Sequence, residues 1–126
     1  MGMAWHGRYA SFFEEGAAEL RRLCGLSYQE LYEADLRAPI IKFHADYHES
    51  LLLDEVMTVE ARLIWNEAAR LNTEFRIHRP GGSLATTGYT VQLFTSGSTG
   101  ELYLASPNLL DQCRIKWQQG HFEHLR

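Results

Sequence analysis

Residues 9–24 read YASFFEEGAAELRRLC, and their spacing decides the fold. Tyr9, Phe12, Phe13, Gly16, Ala17, Leu20, Leu23 and Cys24 fall on one stripe at the helical period, while Glu14, Glu15, Ala18, Arg21 and Arg22 fall away from it. The stripe predicts a core-facing helix of about four turns. Gly16 in mid-stripe costs about 1 kcal/mol of helix propensity relative to Ala, and its missing Cβ lets something flat approach closely. A β-sheet lying directly against this helix is the expected neighbour.

Downstream of the stripe, Gly25 supplies a helix stop, and Ser27-Tyr28-Gln29-Glu30 reads as a capping box for a short second helix ending near Asp35. The period then changes to two. Ile41, Phe43, Ala45 and Tyr47 alternate with Lys42, His44, Asp46 and His48; Met57 to Trp65 and Leu71 to Ile77 repeat the pattern, the latter stopping at Pro80-Gly81-Gly82. Ala85, Thr87, Tyr89, Val91 and Leu93 mark a fourth strand, which ends in the turn-rich TSGSTG at 95–100, and Leu102-Tyr103-Leu104 suggests a fifth. A last helix is expected after Ser106-Pro107, running towards Trp117. Short connections disfavour parallel crossovers, so the order describes an α+β layout with an antiparallel sheet covered by the long helix.

Composition narrows the functional classes. With 126 residues, 45% hydrophobic and 22% charged, the chain has the balance of one ordinary globular domain, 1–126, with no repeat and no linker to divide it. A net charge of −4 argues against nucleic-acid binding, which favours a basic stripe. No apolar run reaches the roughly 20 residues of a membrane-spanning helix. Cys24 and Cys113 belong to no metal-binding spacing and read as free thiols, which with the lack of a secretory signal points to the cytoplasm.

The blocks GMAWHGRYASFFEE at 2–15, CGLSY at 24–28, API at 38–40, DY at 46–47 and LDEV at 53–56 resemble the hot-dog-fold acyl-CoA thioesterases of the 4-hydroxybenzoyl-CoA thioesterase family. The resemblance spans nearly the whole chain. It implies a hot-dog fold, with a curved antiparallel sheet wrapped around the long helix, and a homodimer or homotetramer with active sites at the protomer interface. It further implies hydrolysis of an acyl-CoA or acyl-carrier-protein thioester with no metal or redox cofactor. The alternatives are another hot-dog enzyme, such as an acyl-thioester dehydratase, or a non-catalytic subunit that binds acyl thioesters. In the family an opening strand delivers an Asp three residues before the glycine matching Gly2. That Asp falls two positions upstream of Met1, so the domain 1–126 is expected to lack the family's first strand because the sequence starts after it.

The resemblance also suggests roles for particular residues. His6 stands where the helix N-terminus receives the thioester carbonyl, and free N–H groups there suit a developing oxyanion. Gly2 and Tyr9 match positions that line the substrate. Glu14 is the family-matching carboxylate on the helix and a candidate base or site organiser, although Glu14 and Glu15 both point away from the centre of the apolar stripe. Arg62, Arg70, Arg76 and Arg79 lie on or near strands that approach the CoA moiety in the family; alternatively they pair with Glu60 and Glu74 on the exposed sheet face. His44, Asp46 and His48 share a strand face, but the outer two lie about 13 Å apart along a strand, too far for one ion, so no metal site is expected.

Overall fold

The computed structural model of the chain describes residues 6–49 and 57–121, and within the first helix it describes side chains from Phe13 onward. Helix α1 spans His6–Leu23. Its buried stripe is Phe13, Ala17, Leu20 and Cys24, whereas Leu23 lies at the exposed margin. Gly25, at φ 77, ends the helix as expected. Leu26 N–H reaches back to Arg21 O at 2.8 Å, satisfying one of the carbonyls that a helix C-terminus leaves open.

Ser27 caps α2 (Tyr28–Glu33) by accepting the Glu30 N–H at 3.2 Å, and its hydroxyl donates to Glu30 Oε1 at 2.9 Å. Ser27→Ala is therefore expected to lower the unfolding free energy by about 1 kcal/mol. The check is a urea midpoint that falls with an unchanged m-value.

Beyond α2 the chain forms β1 (Leu36–Arg37), β2 (Ile40–Tyr47), β3 (Thr58–Ile64), β4 (Arg70–His78), β5 (Leu84–Leu93) and β6 (Thr95–Ser96), then α3 (Asn108–Gln118). Among the described residues four strands make one antiparallel sheet in the order β2-β5-β4-β3, with β2 and β3 at its edges. Helix α1 packs on β3 and β4. The close approach that Gly16 predicts is present: a Cβ there would lie 2.9 Å from Val59 Cγ1 and 3.5 Å from the Ala61 Cβ. The α+β hot-dog architecture expected from the sequence is therefore observed.

Two expectations need correction. The proposed fifth strand at Leu102–Leu104 is reduced to an isolated bridge between Leu102 and Thr95. The turn ahead of it is drawn instead toward Asp35, whose carboxylate accepts Ser98 Oγ at 2.7 Å and Ser96 Oγ at 3.0 Å, while β6 pairs with β1. These hydroxyls, Ser98 foremost, hold the Asp35 carboxyl below its usual value. Leu104 is left 90% exposed, with no core face to make a strand worthwhile.

The second correction concerns β5. Its inward phase is Thr86, Gly88, Thr90 and Gln92, paired with Ile77, Phe75, Thr73 and Leu71 of β4, whereas Thr87, Tyr89 and Val91 face outward. The register shift near Ile77 and His78 lets Ala85 reach the core as well. A small, polar phase faces inward because Phe13 occupies the space above it. Its ring stacks on Phe75 at 4.5 Å and tilts against Phe43 at 5.3 Å.

Helix α3 closes the other end of the core with Leu110 and Cys113, while Trp117 meets Trp65 at 5.8 Å. Arg114 clamps it in place, donating to Ser106 Oγ at 2.6 Å and to the Ala68 carbonyl. Among the described residues no helix is long and apolar enough to cross a membrane.

Candidate active site

Because α1 lies over β3 and β4, the space between it and the far edge strand β2 is left open. A cavity of about 320 Å³ fills this gap, walled by Phe13, Ala17, Ile40, Phe43 and Phe75 and floored by Thr90 and Gln92. Glu14 stands at its rim. A second groove of about 340 Å³ adjoins it, shares Glu14, Ile40 and Gln92, and adds Arg21, Arg37 and Tyr28.

The polar groups here are few. The Glu14 side chain is 56% exposed and Arg21 only 14%, with Arg21 Nη2 3.2 Å from Glu14 Oε1. The two residues are two turns apart on α1, which brings them onto one side of the helix. Among the described residues Arg21 Nε and Thr90 Oγ1 are buried without hydrogen-bond partners, so both retain capacity toward a group entering the cavities. Gln92 is held by its amide donating to Ala38 O at 2.7 Å. Arg37 lies over the Tyr32 ring at 4.9 Å. An apolar slot with the Glu14 carboxylate at its mouth and the guanidiniums of Arg21 and Arg37 in the adjoining groove suits a ligand with an apolar body and a polar, reactive head.

The residues expected from the sequence are distributed unevenly around this slot. Glu14, expected to point away from the core, is brought to the rim because α1 lies over β3 and β4 and leaves the β2 side of the sheet uncovered. Glu15 is exposed. His6 is the first residue of α1, but its side chain and that of Tyr9 lie outside the described residues, as does Gly2 altogether.

Arg62 and Arg76 occupy the sheet face opposite α1, each 3.7 Å from a neighbouring carboxylate, Glu60 and Glu74 respectively. Arg79 lies 3.6 Å from Glu49. Arg70 lines a small pocket under α3 with Trp65, Arg114 and Trp117. None of these four lines the Glu14 cavities. On the outer face His44 Nε2 pairs with Asp46 Oδ2 at 3.0 Å, and His48 Nε2 meets Thr87 Oγ1 at 2.9 Å.

Arg21, Thr90 and Gln92 were not singled out by sequence reasoning. Thr90 and Gln92 belong to the run Thr86, Gly88, Thr90, Gln92, a strand phase with no large apolar residue, whereas Arg21 lies on α1 off the apolar stripe, where no local pattern marks it.

The sequence profile of the family described as Thioesterase superfamily matches residues 1–86. A candidate esterase of Synechocystis sp. is 20% identical over 119 residues, covering 94% of this chain and 72% of that protein. Among solved structures, a DHNA-CoA thioesterase of Staphylococcus aureus superposes with a TM-score of 0.79 at 24% identity, over 98% of this chain and 79% of its own. A second Staphylococcus aureus protein, solved in complex with CoA, gives 0.81 at 18% identity, over 94% and 75%.

Proposed function

The chain belongs to the thioesterase superfamily, and on that premise we propose that it hydrolyses the thioester of an acyl-CoA or acyl-carrier-protein substrate in the slot between α1 and β2. The observation that carries the proposal is the carboxylate of Glu14 at the rim of an apolar cavity beneath the central helix. Burial of the acyl group against Phe13, Phe43 and Phe75 supplies binding energy, at roughly 25 cal/mol per Å² of apolar surface removed from water. Glu14 then accepts a proton from the attacking water or orients it, and Arg21 keeps the carboxylate in place.

His6 lies about 12 Å along α1 from Glu14, so the open N–H groups around His6 stabilise the oxyanion at the Glu14 carboxylate of a second copy, with Gly2 and Tyr9 the further substrate contacts that the resemblance implies. The sulfur leaves as a thiolate with little need of protonation, a thiol being acidic at about pKa 8.5. In this arrangement any CoA contact by Arg62 or Arg70 is made beyond the two cavities, on the outer face or beside α3. The chain acts as a homodimer or homotetramer: among the described residues β2 is an edge strand that leaves Ile40, Ile41, Phe43 and Tyr47 exposed, and a second copy pairing there closes the open side of the slot.

The test is thiol release from a panel of aliphatic and aromatic acyl-CoAs by the full-length protein. Turnover of at least one is expected. Tight binding of acyl-CoAs without turnover of any would identify a binding subunit instead.

A further inference from the structure

Helix α1 covers one face of the sheet, and the charged side chains of the other face stay half-exposed. The ladder orders them as a grid. His44, Tyr89, Glu74 and Arg62 align across β2, β5, β4 and β3, and two residues further along the strands Asp46, Thr87, Arg76 and Glu60 align in the same way. Each ionic head in one row stands next to its opposite in the other: Glu74 next to Arg76, Arg62 next to Glu60, and the His44 imidazole next to Asp46. The Glu74–Arg76 and Arg62–Glu60 contacts are both 3.7 Å, longer than a hydrogen bond, so these heads keep donors and acceptors for a second layer.

We propose that this face binds the same face of a second copy, through a two-fold axis that lies between the sheets and runs along the rows, midway between them. A half-turn about that axis keeps the strand order and sets each row over the other row of the second copy. Glu74 then meets Arg76, Arg62 meets Glu60, His44 meets Asp46 and the Tyr89 ring meets Thr87, each contact made twice by symmetry. The alternative two-fold, along the strands, sets β4 over β5 and β3 over β2. It places Glu60 over Asp46, two carboxylates, and leaves Glu74 and Arg76 over Tyr89 and Thr87. Charge therefore selects the first arrangement.

Net charge agrees. The chain carries −4 overall, but on this face Lys42, Arg62 and Arg76 balance Asp46, Glu60 and Glu74, so repulsion between copies is small here. Packed sheets lie about 10 Å apart, which lets the long side chains of the two layers interdigitate. The contact leaves the β2 edge free; it adds to the edge pairing proposed above and does not depend on it.

The test is sedimentation velocity on the full-length protein at micromolar concentration, with Glu74→Arg and Arg76→Glu made singly. Each variant sets like charges against each other across the two-fold, and is expected to weaken the contact at least about 100-fold and halve the particle mass. Mixed in equal amounts the two become complementary, since the arginines at 74 and 76 of one face the glutamates of the other. The wild-type mass is expected to return, with both chains in the particle. Repair within a chain cannot produce this rescue, because each chain keeps its own β4 pair broken. Glu60→Arg mixed with Arg62→Glu repeats the swap on β3 should a β4 variant not fold. Variants that keep the wild-type mass, or a mixture that stays at the halved mass, overturn the proposal. The masses also report on the edge pairing separately. Four chains falling to two retains both contacts, two falling to one retains the face and removes the edge, and two chains throughout retains the edge and removes the face.

Discussion

Gly88→Ala is expected to lower the unfolding free energy by about 3 kcal/mol, at the upper end of what overpacking a core usually costs. Gly88 sits in β5, an interior strand paired on both sides, with Ala45 of β2 and Phe75 of β4 opposite. A Cβ at this position would lie 2.6 Å from Phe13 Cε2 and 2.8 Å from Phe13 Cζ, and would overlap the carbonyl oxygen of His44.

Neither neighbour can yield easily. The His44 carbonyl belongs to the backbone of β2, which the ladder holds in register, and the Phe13 ring is stacked on Phe75 and tilted against Phe43. The entropy gained by replacing a strand glycine, roughly 0.5–1 kcal/mol, offsets only part of the clash. A urea titration tests this against Gly81→Ala, whose Cβ would meet nothing within 4 Å. The turn variant should stay within about 0.5 kcal/mol of wild type. Equal midpoints for the two variants would show that Phe13 does not need the gap at Gly88. A Phe13→Leu change should recover part of the loss in Gly88→Ala, since the two residues are in contact and their effects should couple.

The same contact explains which parts of the fold were legible in the sequence. Phe13, Ala17, Leu20 and Cys24 recur at helical spacing, and Leu71, Thr73, Phe75 and Ile77 recur at strand spacing; each set is buried as a unit. Gly16 announced the sheet beneath α1 because a glycine in the middle of an apolar stripe leaves a gap that another element must fill. For β5 the pattern misled: periodicity reveals two phases, and hydrophobicity selects the inner one only where the interior is filled by that strand's own side chains. Here Phe13 reaches across from α1, so the inner phase is Gly88 flanked by threonines, and the aromatic Tyr89 faces outward.

Other features depend on contacts that no local pattern encodes. Cys24 and Cys113 enter one buried cluster because α3 docks against the rest of the core, with Trp65 against Trp117 and the Arg114 clamp. Glu14 lies beside the apolar stripe, and the wheel alone would give it to solvent. It becomes a cavity residue because α1 covers β3 and β4 and leaves β2 uncovered, which is a property of the sheet order.

Glu14→Gln is expected to lower kcat for thioester hydrolysis by about 10²- to 10⁴-fold, the usual contribution of a positioned proton acceptor. Glutamine keeps the length of the side chain and an oxygen for Arg21 at the 3.2 Å contact, but it cannot take a proton from water. Stability should hardly change, because a pair whose carboxylate is 56% exposed contributes at most about 1 kcal/mol. KM should change little, since in the proposed reading Phe13, Phe43 and Phe75 of the cavity wall hold the acyl group and the carboxylate does not. Arg21→Met should act in between: it frees the carboxylate to swing into solvent, so a smaller fall in kcat is expected with the proton acceptor still present. Glu15→Gln is the matched control, one residue along the same helix and exposed. If Glu14→Gln and Glu15→Gln both stay within threefold of wild type while the fold is intact, Glu14 is only a surface partner of Arg21, and the proton acceptor belongs to another element.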